Sequence, residues 1–132
     1  MRVIDSSSLA KYVNRESGWE EVEGRLRTGC TTLKLALKET GNSLWKRVRR
    51  GDLKPEIALR VFREFVRLKP VKLYDQEGLL AEAMEYALKL NLTIYDCLFI
   101  ALAKRLGEPL ITSDRRQAEA AQKLSILVDL IP

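Results

Sequence analysis

Four acidic residues stand at positions where they could share a cation: Asp5, Glu39, Asp96 and Asp114. Asp96 is the most conspicuous, because it heads "CLFIALA", the most apolar run in the chain. Aspartate is almost never fully buried without a partner. Asp114 follows "PLIT" by two residues. Two local readings of Asp96 are open. In one, Thr93 is a helix N-cap and Asp96 sits at the third helical position, the capping-box spacing with Asp in place of Glu or Gln. An acid there also suits the positive end of the helix dipole, by about 0.3–1 kcal/mol. In the other reading Asp96 is a functional acid.

If the four acids meet, their charge has to be compensated. Two carboxylates about 4 Å apart repel by roughly 4 kcal/mol at an effective dielectric near 20. A cluster of four must therefore take up protons or a cation. Oxygen ligands without Cys or His select Mg²⁺ or Mn²⁺. The chain has no histidine, which excludes a Ser-His-Asp triad, a Cys-His pair and a histidine zinc site. Cys30 and Cys97 lie far apart in sequence, fit neither a zinc motif nor a disulfide framework, and read as buried structural thiols.

The elements that must position these acids follow from the apolar pattern. Residues 2–5 read as a short buried strand ending at Asp5, and "SSSLAKYV" as a helix with a serine cap. Residues 17–27 form a second helix, with Trp19, Val22 and Leu26 as its apolar stripe. "GCTTL" is a strand, and 33–50 a long helix carrying Glu39 and closed by Gly51. Pro55 opens a helix over 55–68, whose Ile57, Val61, Phe65 and Leu68 share one face. "VKLY" is a strand, followed by helices over 76–89 and 93–106. "PLIT" is a strand, "RRQAEAAQKL" a helix and "SILVDLI" a last strand. Strands alternating with helices predict a three-layer α/β/α domain over 1–132, with a central, mostly parallel five-stranded sheet. Ligands of such sheets sit at the carboxyl ends of the strands, and that edge is where the four acids would meet. Gly41, inside the long helix at a cost of about 1 kcal/mol relative to alanine, marks a close approach to a neighbouring helix or to substrate. Asp129 reads as a surface residue at the end of the last strand.

The net charge of +5 is uneven. Between Lys46 and Lys72 ten cations face three acids, a local +7 that leaves −2 elsewhere. This asymmetry points to a polyanion, nucleic acid first. The blander alternative is a solvated helix face in a charge-rich thermophilic protein. No apolar run approaches the roughly 18 residues of a membrane span, and "MRVIDSSS" turns polar too early for a signal peptide, so a cytoplasmic protein without membrane contact is expected.

Four patches, in order, resemble the PIN-domain ribonucleases, and within them the VapC-type toxins of toxin–antitoxin pairs. They are "VIDSSSLAKY" with Asp5, "LALKETGNSLWK" with Glu39 and Asn42, "TIYDCLFIALAKRLG" with Asp96, and "PLITSDRR" with Thr112 and Asp114. The resemblance spans essentially the whole chain. It implies metal-dependent hydrolysis of single-stranded or structured RNA, with Asp5, Asp96 and Asp114 as ligands of Mg²⁺ or Mn²⁺ and Glu39 as a ligand directly or through water. Ser6 and Thr112 would orient carboxylates, and Asn42 a carboxylate or a phosphate. Lys46, Arg49, Arg50 and Arg115 would hold RNA phosphates. It further implies a small antitoxin, docking in an apolar groove of the first two helices, and a homodimer built through helices, 55–68 among the candidates. For Ser6 a helix N-cap is an equal alternative. Tyr12, Trp19 and Trp45 are read as core or as antitoxin anchors, with core favoured for Trp45.

Three rival readings remain in view. A phosphate receiver or phosphatase of similar layout needs further acids after the first strand and a lysine after a late one. Here only serines follow Asp5, and no lysine follows "PLIT" or "SILV". The others are a PIN-like domain that binds RNA or protein without cutting it, and an RNA-processing PIN nuclease without an antitoxin.

Overall fold

Strand β1 (Arg2–Ile4) lies at the centre of a five-stranded sheet. Its companions are β2 (Cys30–Leu33), β3 (Lys72–Tyr74), β4 (Leu110–Thr112) and β5 (Val128–Leu130), in the order β3-β2-β1-β4-β5, with every pairing parallel. The computed structural model describes residues 1–68 and 70–132; Lys69, one of the ten cations of the basic segment, lies outside the described residues. Parallel neighbours need crossovers. These are supplied by α1 (Ser6–Val13), α2 (Trp19–Arg27), α3 (Lys34–Arg50), α4 (Pro55–Leu68), α5 (Leu80–Leu90), α6 (Ile94–Leu106) and α7 (Arg115–Lys123). Helices α1 to α4 pack together on one side of the sheet, α5 and α6 on the other, and α7 lies against α6 and the β4–β5 edge. The three layers and the parallel sheet are those expected from the sequence.

Burial explains the apolar runs. Val3, Ile4, Leu33, Leu110 and Ile111 are fully buried, as strands covered on both faces require. All seven residues from Cys97 to Ala103 are buried, because α6 is held between the sheet and α5. A helix that is apolar all round belongs inside. Asp96 therefore marks the wet end of a dry helix. Gly51 and Gly107 close α3 and α6 with positive φ, +84° and +64°, where a side chain would be strained. Among the described residues no single helix is long and apolar enough to cross a membrane.

Several expectations are corrected. The cap of α1 is Asp5, not a serine: its side chain accepts the Ser8 N–H. The predicted helix over 76–89 begins instead as a single 3₁₀ turn, Glu77–Leu79, before α5. Trp45 is not core; it is 57% exposed on the outer face of α3. On α4 only Phe65 is buried and Leu68 is exposed, while Ala58, Val61 and Phe62 pack half-buried against the core. Asp129 is no free surface residue: it binds the guanidinium groups of Arg2 at 3.0 Å and Arg25 at 2.6 Å, tying β5 to β1 and α2.

Gly41 marks the approach of α4 to α3. A β-carbon there would stand 3.0 Å from the Phe62 ring. Overpacking of that kind costs typically 1–3 kcal/mol, against about 1 kcal/mol gained in helix propensity. Gly41→Ala should therefore destabilise the protein by about 1 kcal/mol in urea melts, and should stabilise it in a Phe62→Ala background. The same sign in both backgrounds would show that the ring is not the obstacle.

Candidate active site

The strand order reverses between β1 and β4, and in an open parallel sheet the crevice beyond the carboxyl ends at that point is where ligands bind. Asp5 is the first residue past β1 and Asp114 the second past β4. The Asp5 N–H still donates to the Ile111 carbonyl at 3.0 Å, so the two loops leave the sheet side by side.

Asp5 is almost wholly enclosed, with 1% of its surface exposed. Its Oδ1 accepts the Ser8 N–H at 3.1 Å and the Ser7 hydroxyl at 2.7 Å, and its Oδ2 accepts the Thr112 hydroxyl. The Thr112 oxygen in turn accepts the Asp114 N–H at 3.1 Å. Ser7 Oγ accepts the Ser113 N–H at 2.9 Å, and the Ser8 and Ser113 hydroxyls share a bond of 2.8 Å. These hydroxyls fasten the start of α1 to the end of β4 and fix the Asp5 carboxyl between them. Burial pushes that carboxyl up to about 6, outweighing the three hydrogen bonds, and the nearby Asp114 charge adds to the rise.

The other acids follow along the same edge. Asp114 caps α7, its Oδ1 accepting the N–H groups of Arg116 at 2.9 Å and Gln117 at 3.4 Å. Thr93 caps α6 by accepting the Asp96 N–H at 3.2 Å. The return bond of a capping box, from the Thr93 N–H to the Asp96 carboxylate, is not formed among the described residues. The Asp96 carboxyl is raised by burial first; the Thr93 hydroxyl opposes the rise, the Asp114 charge adds to it, and the Arg116 charge reduces it. The Glu39 carboxyl is likewise raised by burial, lowered by the Ser6 hydroxyl and raised by Asp96. Each acid thus lies in the field of the next: Asp5 with Asp114, Asp114 with Asp96, Asp96 with Glu39. Glu39 Oε1 is buried and without a hydrogen-bond partner, a costly position for a carboxylate oxygen. Among the described residues no three His, Cys, Asp or Glu side chains stand close enough together to hold a metal ion, so the four acids line one edge without converging on a point. Like-charge repulsion opposes such convergence.

The remaining candidates separate. Ser6 does not hold Asp5; Ser7 does, and Ser6 lies by Glu39. Asn42 and Lys46 line an open groove of about 470 Å³ with Lys38, Glu39 and Ser43. Arg49 lies over the Trp45 ring, 5.8 Å from its centre. Arg50 is paired with Asp52 at 3.3 Å. Arg115 is exposed at the first position of α7. Sequence reasoning missed Ser7, Ser8, Lys38 and Gln117. Gln117 is 2% exposed and donates from Nε2 to the Asp96 carbonyl at 2.9 Å, joining α7 to the first turn of α6. A glutamine three residues after an N-capping aspartate, on the inward side of a helix, was the available signal.

The PIN domain, as a family, matches residues 2–123 of this chain. The chain belongs to the PIN domain family. It is 35% identical over 120 residues to Ribonuclease VapC3 of Pyrobaculum aerophilum, covering 89% of this chain and 92% of that protein. It is 28% identical over 113 residues to Exonuclease VapC9 of the same organism, covering 86% and 80%. In three dimensions it resembles the crystal structure of PAE2754 from Pyrobaculum aerophilum, with a TM-score of 0.75 at 26% identity over 98% of this chain and 83% of that one. A toxin–antitoxin complex from Klebsiella pneumoniae shares the fold, with a TM-score of 0.62 at 15% identity over 89% of this chain and 90% of that one.

The buried acid gives this PIN domain a defined pH response. A carboxyl raised on folding binds its proton more tightly in the folded state, so stability falls as pH rises from about 4 through about 6. Asp5 alone contributes on the order of 3 kcal/mol of that fall, and Glu39 and Asp96 act in the same direction. In EDTA, Asp5→Asn should flatten the fall and leave the protein at least as stable as the wild type at pH 7, since asparagine also caps helices. Urea melts at a series of pH values test this; an unchanged slope would show that Asp5 is not the titrating group.

Proposed function

We propose that this chain is a divalent-metal-dependent endoribonuclease and the toxin of a toxin–antitoxin pair. The observation that carries the reading is the near-total burial of Asp5 at the sheet's switch point, in electrostatic contact with a line of three further acids. The donor set fits a hard cation: it is all oxygen, and the unpartnered Glu39 Oε1 is an acceptor still to be satisfied. Asp5, Asp96 and Asp114 would hold Mg²⁺ or Mn²⁺, with Glu39 reaching it directly or through water. When bound, such an ion supplies positive charge to the scissile phosphate and lowers the pKa of a water.

The chain's own residues do the rest. Thr112 and Ser7 fix the Asp5 oxygens so that they need not reorganise on binding. Gln117 and Thr93 fix the first turn of α6, and with it Asp96. Asn42 and Lys46 offer an amide and an ammonium along the groove beside Glu39, and Arg115 adds charge beside Asp114. Arg49 and Arg50 extend the basic surface along α3. The likeness to a protein named ribonuclease supports RNA as the substrate, and the basic segment supports a polyanion. The antitoxin is supported by the toxin–antitoxin neighbour and by an apolar groove of about 290 Å³ that lies between α1 and α4, not on the first two helices as expected, and includes Tyr12, Val61, Phe65 and Leu68. A homodimer is supported by an exposed apolar row on α5, Leu80, Met84 and Leu88, which follow one another at four-residue steps. RNA as substrate would fit a cytoplasmic protein.

The similarity to a protein named exonuclease favours a second reading, cleavage from an end, and a circular RNA separates the two. Purified chain, free of antitoxin, should cut circular RNA with Mg²⁺ or Mn²⁺ and stop with EDTA. Asp96→Asn should lower the rate at least a hundredfold. Cleavage of linear but not circular RNA would select the exonuclease, and cleavage that persists in an Asp5→Asn, Asp96→Asn variant would remove the proposed site. A ligand that binds only the folded state stabilises it, by about 2.7 kcal/mol at one hundred times its dissociation constant. Mn²⁺ should accordingly raise the melting temperature of the wild type and leave that of Asp96→Asn nearly unmoved.

A further inference from the structure

Trp45 is the one large aromatic side chain of α3, and more than half of it is exposed. It stands in a row on that helix. Lys38, Asn42, Trp45 and Arg49 follow one another at steps of three and four residues, with Lys46 beside them, so they share one face. The row runs out of the groove that Glu39 lines. Trp45 lies six residues beyond Glu39, about 9 Å along the helix axis. From Lys38 to Arg50 the single acid is Glu39 itself, against five cations. Arg47 and Arg50 are paired with Asp52. Lys38, Lys46 and Arg49 form no ion pair among the described residues, and the Arg49 guanidinium lies over the Trp45 ring instead.

We propose that Trp45 is a stacking platform for an unpaired base of single-stranded RNA whose phosphates run along Lys38, Lys46 and Arg49. An exposed aromatic ring flanked by unpaired cations is the way proteins hold single strands, because every base has a face to stack and every nucleotide a phosphate to neutralise. A base-paired duplex keeps its bases stacked on one another and cannot use the ring. A protein partner would match the apolar area of the indole but not the cations around it; the excess positive charge decides for the polyanion. The proposal rests on the nuclease reading of the acids and adds to it the side chain that would hold a base of the strand beside the groove that Glu39 lines.

The test is binding of a fluorescent single-stranded oligouridylate in EDTA, where the strand stays whole. Trp45→Ala should weaken binding on the order of tenfold, and Trp45→Phe should restore most of it. An oligonucleotide whose bases are removed along its length should bind wild type and Trp45→Ala equally, as should a duplex. Equal affinity of wild type and Trp45→Ala for the intact strand would overturn the stacking role while leaving the nuclease reading, judged by metal-dependent cleavage, in place. Loss of self-association by Trp45→Ala on size exclusion, with RNA binding unchanged, would also overturn it and make the face a protein interface. A wild type that neither binds nor cuts RNA would remove the nuclease reading and this proposal together.

Discussion

A carboxylate sealed inside a protein must be neutralised, and the candidate site is organised around that requirement. Asp5 is buried at the end of the central strand, where the chain turns from β1 into α1. Water cannot solvate it there, so three hydrogen-bond donors do part of the work. They do not suffice, as the rise of its carboxyl to about 6 shows. A second negative charge at Asp114 makes the position harder still. A fold that keeps such an arrangement is holding a group whose counter-charge is a proton or a bound cation.

The means of gathering the acids is economical. Asp5 caps α1, Asp114 caps α7, and Asp96 lies in the first turn of α6. Three helices therefore direct their positive ends toward the same edge. Each contributes about 0.3–1 kcal/mol to a nearby anion, which offsets part of the repulsion among the acids. The backbone of three helix starts also fixes where the carboxylates stand. Glu39 is the exception. It projects from within α3 with one oxygen buried and unpartnered.

Much of this was legible in the sequence because strong local rules coincided with the fold. Short aliphatic runs ended at Asp5 and Thr112, glycines closed α3 and α6, and Thr93 capped α6 at the expected spacing. What was not legible depended on helix phase and on contacts between distant segments. The run "SSS" offers three hydroxyls, and only the packing of α1 against β4 decides that Ser7 reaches Asp5. Because Asp5 is itself the cap, no serine is needed for that role. Gln117 meets Asp96 only because α7 lies against α6. Trp45 was expected in the core rather than as an antitoxin anchor, but α4 covers α3 on the side of Gly41 and leaves Trp45 outside. Asp129 looked loose because its two arginine partners are more than 100 residues away.

The central claim is that the four acids are the protein ligands, or near-ligands, of a divalent-cation site. Diffraction from crystals soaked in Mn²⁺, collected to isolate the anomalous signal of manganese, tests it most directly. The account predicts an anomalous peak between the carboxylates of Asp5, Asp96 and Asp114, with Glu39 turned toward it. Saturating Mn²⁺ with no peak there, or with its peak elsewhere on the molecule, would contradict it.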